Sequence, residues 1–140
     1  MNNLFIDTNI VIDLLAKRHP FFANAAQLFS LADKRIVDLS ISALTFANTH
    51  YTLSKSKKSD DAKSILRKLK LIVTVLPLDD KIIGLALNDR SFKDFEDGLQ
   101  YFTAIENNQD IIITRNLKDF KKTKLPVMTA EQFLISRYGV

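Results

Sequence analysis

Short apolar runs at residues 4–6, 37–41, 72–76 and 111–113 alternate with longer stretches in which apolar residues recur every three or four positions. The first pattern is that of buried strands and the second that of amphipathic helices. Strands separated by helices cannot pair as hairpins, so the alternation predicts a parallel sheet covered on both faces. Helices are predicted at 9–17, 21–34, 43–54, 60–71, 79–88, 95–107 and 130–138; Asp79, which follows Pro77, and Ser42 and Thr129 supply start signals. The expected architecture is a single α/β/α sandwich over residues 1–140, with a central parallel sheet of four or five strands flanked by about seven helices. With three glycines, three prolines and no repeat or biased tract, nothing in the 140 residues marks a linker.

In an open parallel sheet, ligands bind beyond the carboxyl ends of the strands, where loops and helix amino termini converge. The polar residues at those places are Asp7-Thr8-Asn9, then Ser42, Thr45 and Asn48, then Asp94, Glu96 and Asp97, and last Thr114, Arg115, Asn116 and Asp119. Ser42, Thr45 and Asn48 share one helical stripe, and Asp94 and Asp97 have the same spacing. Crowded carboxylates repel one another, and a divalent cation among them relieves that repulsion. The chain has no cysteine and only two histidines, His19 and His50, so thiolate chemistry and disulfides are excluded and the available donors are mostly hard oxygens. Those donors favour Mg²⁺ or Mn²⁺ over Zn²⁺. Each acid also has an ordinary structural role open to it: Asp7 as a helix cap, Asp97 in a first helical turn, Asp119 on a solvated turn. Spacing alone leaves the function open.

Charge points weakly to an anionic partner, with a net charge of +4 and pI ≈ 9.3. Residues 55–70 hold seven basic and two acidic side chains, and Arg115, Lys118, Lys121, Lys122 and Lys124 form a second basic group close to the last acids. Either group could grip phosphates, although the first reads equally well as the solvated face of a helix whose Ile65, Leu66 and Leu69 turn inward. His19 and His50 have no acid beside them in sequence and read as structural, and the aromatic residues, Phe21, Tyr51 and Phe95 included, read as packing. No apolar run reaches the length of a membrane span and the first residues lack a signal-peptide pattern, so the expectation is a cytoplasmic protein without membrane contact.

Four motifs in order carry a family resemblance: Phe5-Ile6-Asp7-Thr8-Asn9 running into Ile10-Val11-Ile12-Asp13, then Ile41-Ser42-Ala43-Leu44-Thr45, then Asp94-Phe95-Glu96-Asp97-Gly98-Leu99, and Thr114-Arg115-Asn116-Leu117-Lys118-Asp119-Phe120. Together they resemble PIN domains, a family of metal-dependent nucleases that includes toxins of bacterial toxin–antitoxin pairs. The resemblance implies a PIN-like domain and an endoribonuclease using Mg²⁺ or Mn²⁺, with one or two ions polarising the scissile phosphate. It makes Asp7, Asp97 and Asp119 the metal-site acids, with Asn9, Thr114 and Asn116 orienting them. Where many members carry an acid on the helix after the second strand this chain has Asn48, and Asp94 is the acid that could compensate. Ser42, Arg115, Lys118, Lys121 and Lys122, with Asn9, are the expected substrate-binding residues. The implied partners are an RNA substrate, a small antitoxin protein docking near Leu14, Leu15 and Phe22, and a second copy in a homodimer. Two other functions compete: a PIN-fold binding module weakened as an enzyme by Asn48, and an Mg²⁺-binding receiver-like or phosphatase-like domain, which also places Asp at the ends of parallel strands.

Overall fold

The computed structural model describes residues 3–139 and contains one five-stranded sheet, ordered β3-β2-β1-β4-β5. Its strands are β1 (Asn3–Ile6), β2 (Asp38–Ser42), β3 (Thr74–Leu76), β4 (Ile111–Ile113) and β5 (Val127–Met128), and every pairing is parallel. The connecting helices are α1 (Thr8–Leu15), α2 (Phe22–Asp33), α3 (Ala43–Leu53), α4 (Ser59–Lys70), α5 (Asp80–Asn88), α6 (Phe95–Glu106) and α7 (Ala130–Tyr138). Among the described residues no helix is long and apolar enough to cross a membrane.

Side chains alternate across the central strands with the two-residue period of a pleated sheet. Leu4, Ile6, Ile111 and Ile113 enter one core with Val11, Leu28, Leu66 and Phe133, so α1, α2, α4 and α7 cover that face. Phe5 and Ile112 enter a second core with Tyr101, Ala104 and Phe120, which places α6 on the opposite face. Helix α5 extends that layer by packing Ile82 and Ala86 on Leu99. The expected three layers are therefore present, with the sheet at the upper end of the expected strand number. The order 3-2-1-4-5 differs from the 2-1-3-4-5 order of flavodoxin-like receivers, which removes the receiver reading.

The departures from expectation lie at element ends. Helix α1 starts at Thr8 because the Asp7 side chain accepts from the Thr8 N–H, and Ala16 ends it before Lys17 takes a left-handed φ of 51°. Strand β3 is confined to Thr74–Leu76, while Ile72 and Val73 pack against the first core before pairing begins. Strand β5 is two residues long, too short to show any period, and follows Pro126. The segment Leu117–Phe120 forms a 3₁₀ turn that seats Phe120 in the second core. Phe21, Tyr51 and Phe95, expected to pack, are exposed instead. Phe21 lies under Arg115, and Tyr51 is stacked by Lys55. Residues 55–70 form the loop into α4 and α4 itself, with Ala62, Leu66 and Leu69 inward and the basic side chains outward in solvent.

Strand β4 is covered from both sides, and Ile112 is fully buried. Replacing Ile112 by alanine should cost about 2–5 kcal/mol by removing apolar area and leaving a cavity. Urea unfolding of the two proteins measures the difference, and a change below about 1 kcal/mol would contradict a packed second core.

Candidate active site

The strand order changes direction between β1 and β4, and the crevice beyond that switch point is where a doubly covered sheet offers a binding site. Asp7 follows β1 and Thr114 follows β4. The Asp7 N–H donates to the Ile113 carbonyl at 3.0 Å, so the two strand ends are stitched together at this point. The Asp7 carboxylate is buried and both its oxygens are held. Oδ1 accepts from the Thr8 N–H at 2.8 Å and from Gln100 Nε2 at 3.2 Å, and Oδ2 accepts from the Thr114 hydroxyl at 2.7 Å. Thr114 in turn accepts from the Asn116 N–H at 3.0 Å and from Asn9 Nδ2 at 3.4 Å. Donors from both sides fix the orientation of the carboxylate.

Asp97 stands in the first turn of α6, where the aspartate Asp94 caps the helix by accepting from the Asp97 N–H at 3.1 Å. Partial burial, then the neighbouring charges of Asp94, Asp7, Asp119 and Glu96, push the Asp97 carboxyl up to about 7. Acids from β1, α6 and the 3₁₀ turn thus act on one group. They also line adjoining spaces. A small polar cavity of about 160 Å³ is bounded by Asp7, Asn9, Asn48, Glu96, Asp97 and Gln100, with Asn116 at its edge. A larger cleft of about 640 Å³ shares Glu96, Asp97 and Asn116 with it and adds Asp94 and Asp119, under a rim formed by Lys93, Lys118, Lys121 and Lys122.

Several expected site residues are therefore brought together, and others are not. Ser42, expected to touch substrate, is buried, and its hydroxyl is committed to capping α3 by accepting from the Leu44 N–H at 3.1 Å. Arg115, expected to grip phosphate, turns away from the acids: its Nε and Nη2 donate to Asp13 at 2.7 and 3.1 Å, and its guanidinium lies 3.9 Å over the Phe21 ring. Asp13 is fully buried and also pairs with Arg18 at 3.0 Å, so Arg115 serves as one of two guanidinium partners of a buried carboxylate. Asp94 keeps one oxygen on its cap, and Glu96 rather than Asp94 lines the small cavity beside Asn48. Leu14 and Leu15, expected to form an exposed groove, pack against the first core. His50 lies 3.5 Å from the Ser54 hydroxyl and 3.3 Å from that of Ser59, away from the acids.

Three further side chains take part, of which Thr8 and Asp13 stood in the first motif without a role and Gln100 was not singled out. Gln100 is buried beside Asp7; its place three residues after Asp97 puts both on one face of α6, which was the available signal. Thr8, whose hydroxyl meets that of Thr45 at 2.8 Å, couples α1 to α3 below the carboxylate. Asp13 was visible as a lone charge within the apolar run of α1. The potential metal ligands lining the two spaces are oxygens, the carboxylates of Asp7, Asp94, Glu96, Asp97 and Asp119 and the amide oxygens of Asn48 and Asn116, with no imidazole among the lining residues. Among the described residues no three His, Asp or Glu side chains close round a common point. The shared field at Asp97 and the hard-oxygen donor set nonetheless fit a divalent cation of the Mg²⁺ or Mn²⁺ kind.

Comparison with known proteins follows the same outline. A family model described as PIN domain matches residues 3–118. Ribonuclease VapC1 of Aquifex aeolicus (strain VF5) is 32% identical over 136 residues, covering 93% of this chain and 92% of its own. Among solved structures, a toxin-antitoxin complex from Klebsiella pneumoniae superposes with a TM-score of 0.69 at 23% identity, covering 91% of this chain and 97% of that one. Mycobacterium tuberculosis VapC20, a sarcin-ricin loop cleaving toxin, superposes with a TM-score of 0.62 at 14% identity, covering 78% of this chain and 86% of its own.

A pH dependence follows from Asp97 in the metal-free protein. Its value of about 7, against an ordinary 3.8, means the folded chain holds this proton more tightly than the unfolded chain does. Ionising it destabilises the fold progressively as pH rises between those two values, and the loss is complete above the higher one. Asp97→Asn should therefore raise Tm at pH 8 and leave it nearly unchanged at pH 4; thermal unfolding across that range in EDTA checks this, and a pH-independent difference would contradict the raised Asp97 carboxyl.

Proposed function

Because this chain belongs to the PIN-domain family, we propose that it is a divalent-metal-dependent endoribonuclease acting as the toxin of a toxin–antitoxin pair. The observation that carries this reading is the convergence of Asp7, Glu96, Asp97 and Asp119, from the end of β1, from α6 and from the 3₁₀ turn, on two adjoining spaces whose lining also includes four lysines. Acids alone repel a phosphodiester and lysines alone only bind one. The combination suits a polyanion that must be held and also attacked. When bound, an Mg²⁺ or Mn²⁺ ion supplies a Lewis acid that makes water a better nucleophile and offsets charge developing on the phosphate.

Within this reading Asp7, Asp97 and Asp119 hold the ion, and Thr114 orients Asp7. Asn48 and Asn116 offer amide oxygens at the edge of the small cavity. Glu96 is better placed than Asp94 to replace the charge that Asn48 lacks, since it lines the same cavity as Asp7. Lys118, Lys121 and Lys122 steady the RNA backbone in the larger cleft. The ribonuclease relative supports RNA as substrate, and the toxin-antitoxin complex among the structural neighbours supports a small protein antitoxin as partner. We extend the reading to a homodimer in the cytoplasm.

Purified protein should cleave RNA with Mn²⁺ or Mg²⁺ and lose activity in EDTA. Asp97→Asn should lower the cleavage rate by at least about 100-fold while the far-ultraviolet circular dichroism stays that of the wild type. Metal-dependent cleavage undiminished in that variant would remove Asp97 from the mechanism. A wild-type protein that binds RNA without cutting it would favour the binding module that Asn48 suggests. Reversing Lys121 and Lys122 to glutamate should weaken RNA binding and reduce the slope of log affinity against log salt by roughly one for each phosphate no longer neutralised. Equal slopes would confine these lysines to surface solubility.

A further inference from the structure

Gln100 is a core residue of an unusual kind. Only 3% of it is exposed, on the face of α6 that also carries Asp97 one turn earlier, and it brings a primary amide into the interior. Its Nε2 lies 3.2 Å from Asp7 Oδ1, 3.4 Å from the Thr8 hydroxyl and 3.3 Å from the Thr45 hydroxyl. Two N–H bonds are thus shared among three oxygens, drawn from the end of β1, from α1 and from α3. Its Oε1 is buried with no hydrogen-bond partner. An orphan buried acceptor destabilises a fold, and an apolar side chain of the same length would avoid that cost. Stability alone does not account for glutamine here.

The chemistry of the amide does. A glutamate at this position would repel Asp7, and a lysine would neutralise it. A neutral amide donates without placing a second charge beside Asp7, and it locks that carboxylate to the helix that carries Asp97. Resting on the metal-dependent reading above, we propose that Gln100 is a positioning residue for divalent-cation binding, holding the Asp7 carboxylate in fixed relation to α6. Nothing in this role requires Gln100 to touch substrate.

The test compares Gln100→Met, which keeps length and removes the donor and the orphan acceptor together, with Gln100→Asn, which keeps the amide but withdraws it from Asp7. Thr103→Val is the control, since Thr103 is equally buried on α6 and its hydroxyl donates within the helix to the Leu99 carbonyl at 2.7 Å. Calorimetric titration with MnCl₂ without RNA gives the Kd, and thermal unfolding gives Tm. Both Gln100 variants should bind Mn²⁺ about tenfold or more weakly than wild type, as loss of a ligand-orienting partner does. Gln100→Met, which sheds the orphan acceptor but also takes a donor from the buried Asp7 carboxylate, should still unfold in one cooperative thermal transition, and Thr103→Val should keep the wild-type Kd. Wild-type affinity in both Gln100 variants overturns the proposal and leaves the metal reading intact. Failure of both to fold makes Gln100 a packing residue and also overturns it. A wild-type protein that takes up no Mn²⁺ overturns the metal reading itself, and this inference with it.

Discussion

The backbone hydrogen bond from Asp7 to Ile113 joins the ends of two strands whose sequence positions are far apart, and the candidate site is assembled around that seam. With β1 and β4 in register, Thr114 necessarily arrives beside the Asp7 carboxylate, and the loop after Thr114 brings Asn116 and Asp119 to the cleft. Burial of Asp7 would be costly without donors, and Thr8, Thr114 and Gln100 provide them from three separate elements. The carboxylate therefore organises the polar interior as much as the isoleucines of β4 organise the apolar one.

Charge is handled differently at two places close together in α1. Asp13 faces inward and is satisfied by Arg18 and Arg115, so its charge is cancelled locally. Asp7 receives only neutral donors, so its charge persists and is felt at Asp97. A carboxylate matched by guanidinium braces the fold; one matched by hydroxyl and amide stays available for chemistry. Arg115 belongs to the first kind, although its place in the fourth motif suggests the second. Its stacking on Phe21 and its fork to Asp13 tie the loop after β4 to α1 and to the start of α2.

The layered architecture was legible because β1 and β4 present apolar residues on both faces, and only a sheet covered twice accepts that. Asp7, Asp97 and Thr114 were legible as well, since the carboxyl ends of strands and the first turn of a following helix are places that sequence patterns mark. Gln100 was not, because a glutamine in an amphipathic helix looks like a surface residue until the tertiary contacts show it facing inward. Ser42 misled for a related reason: a hydroxyl at a strand end serves equally as a helix cap or a ligand contact, and which role wins depends on burial. Strand β5 escaped notice because two residues define no periodicity.

The place of β4 in the sheet bears on how the protein comes into being. It is the fourth of the five described strands, yet it pairs directly with the first, and until residues 111–113 have left the ribosome β1 has an open edge on that side. Thr114, Asn116 and Asp119 emerge later still. In a nascent chain halted before that point, Asp7 has no hydroxyl partner across the seam, and Lys93 alone of the lysine rim has been translated. Whatever chemistry the acids support is withheld until the chain has been made through Asp119.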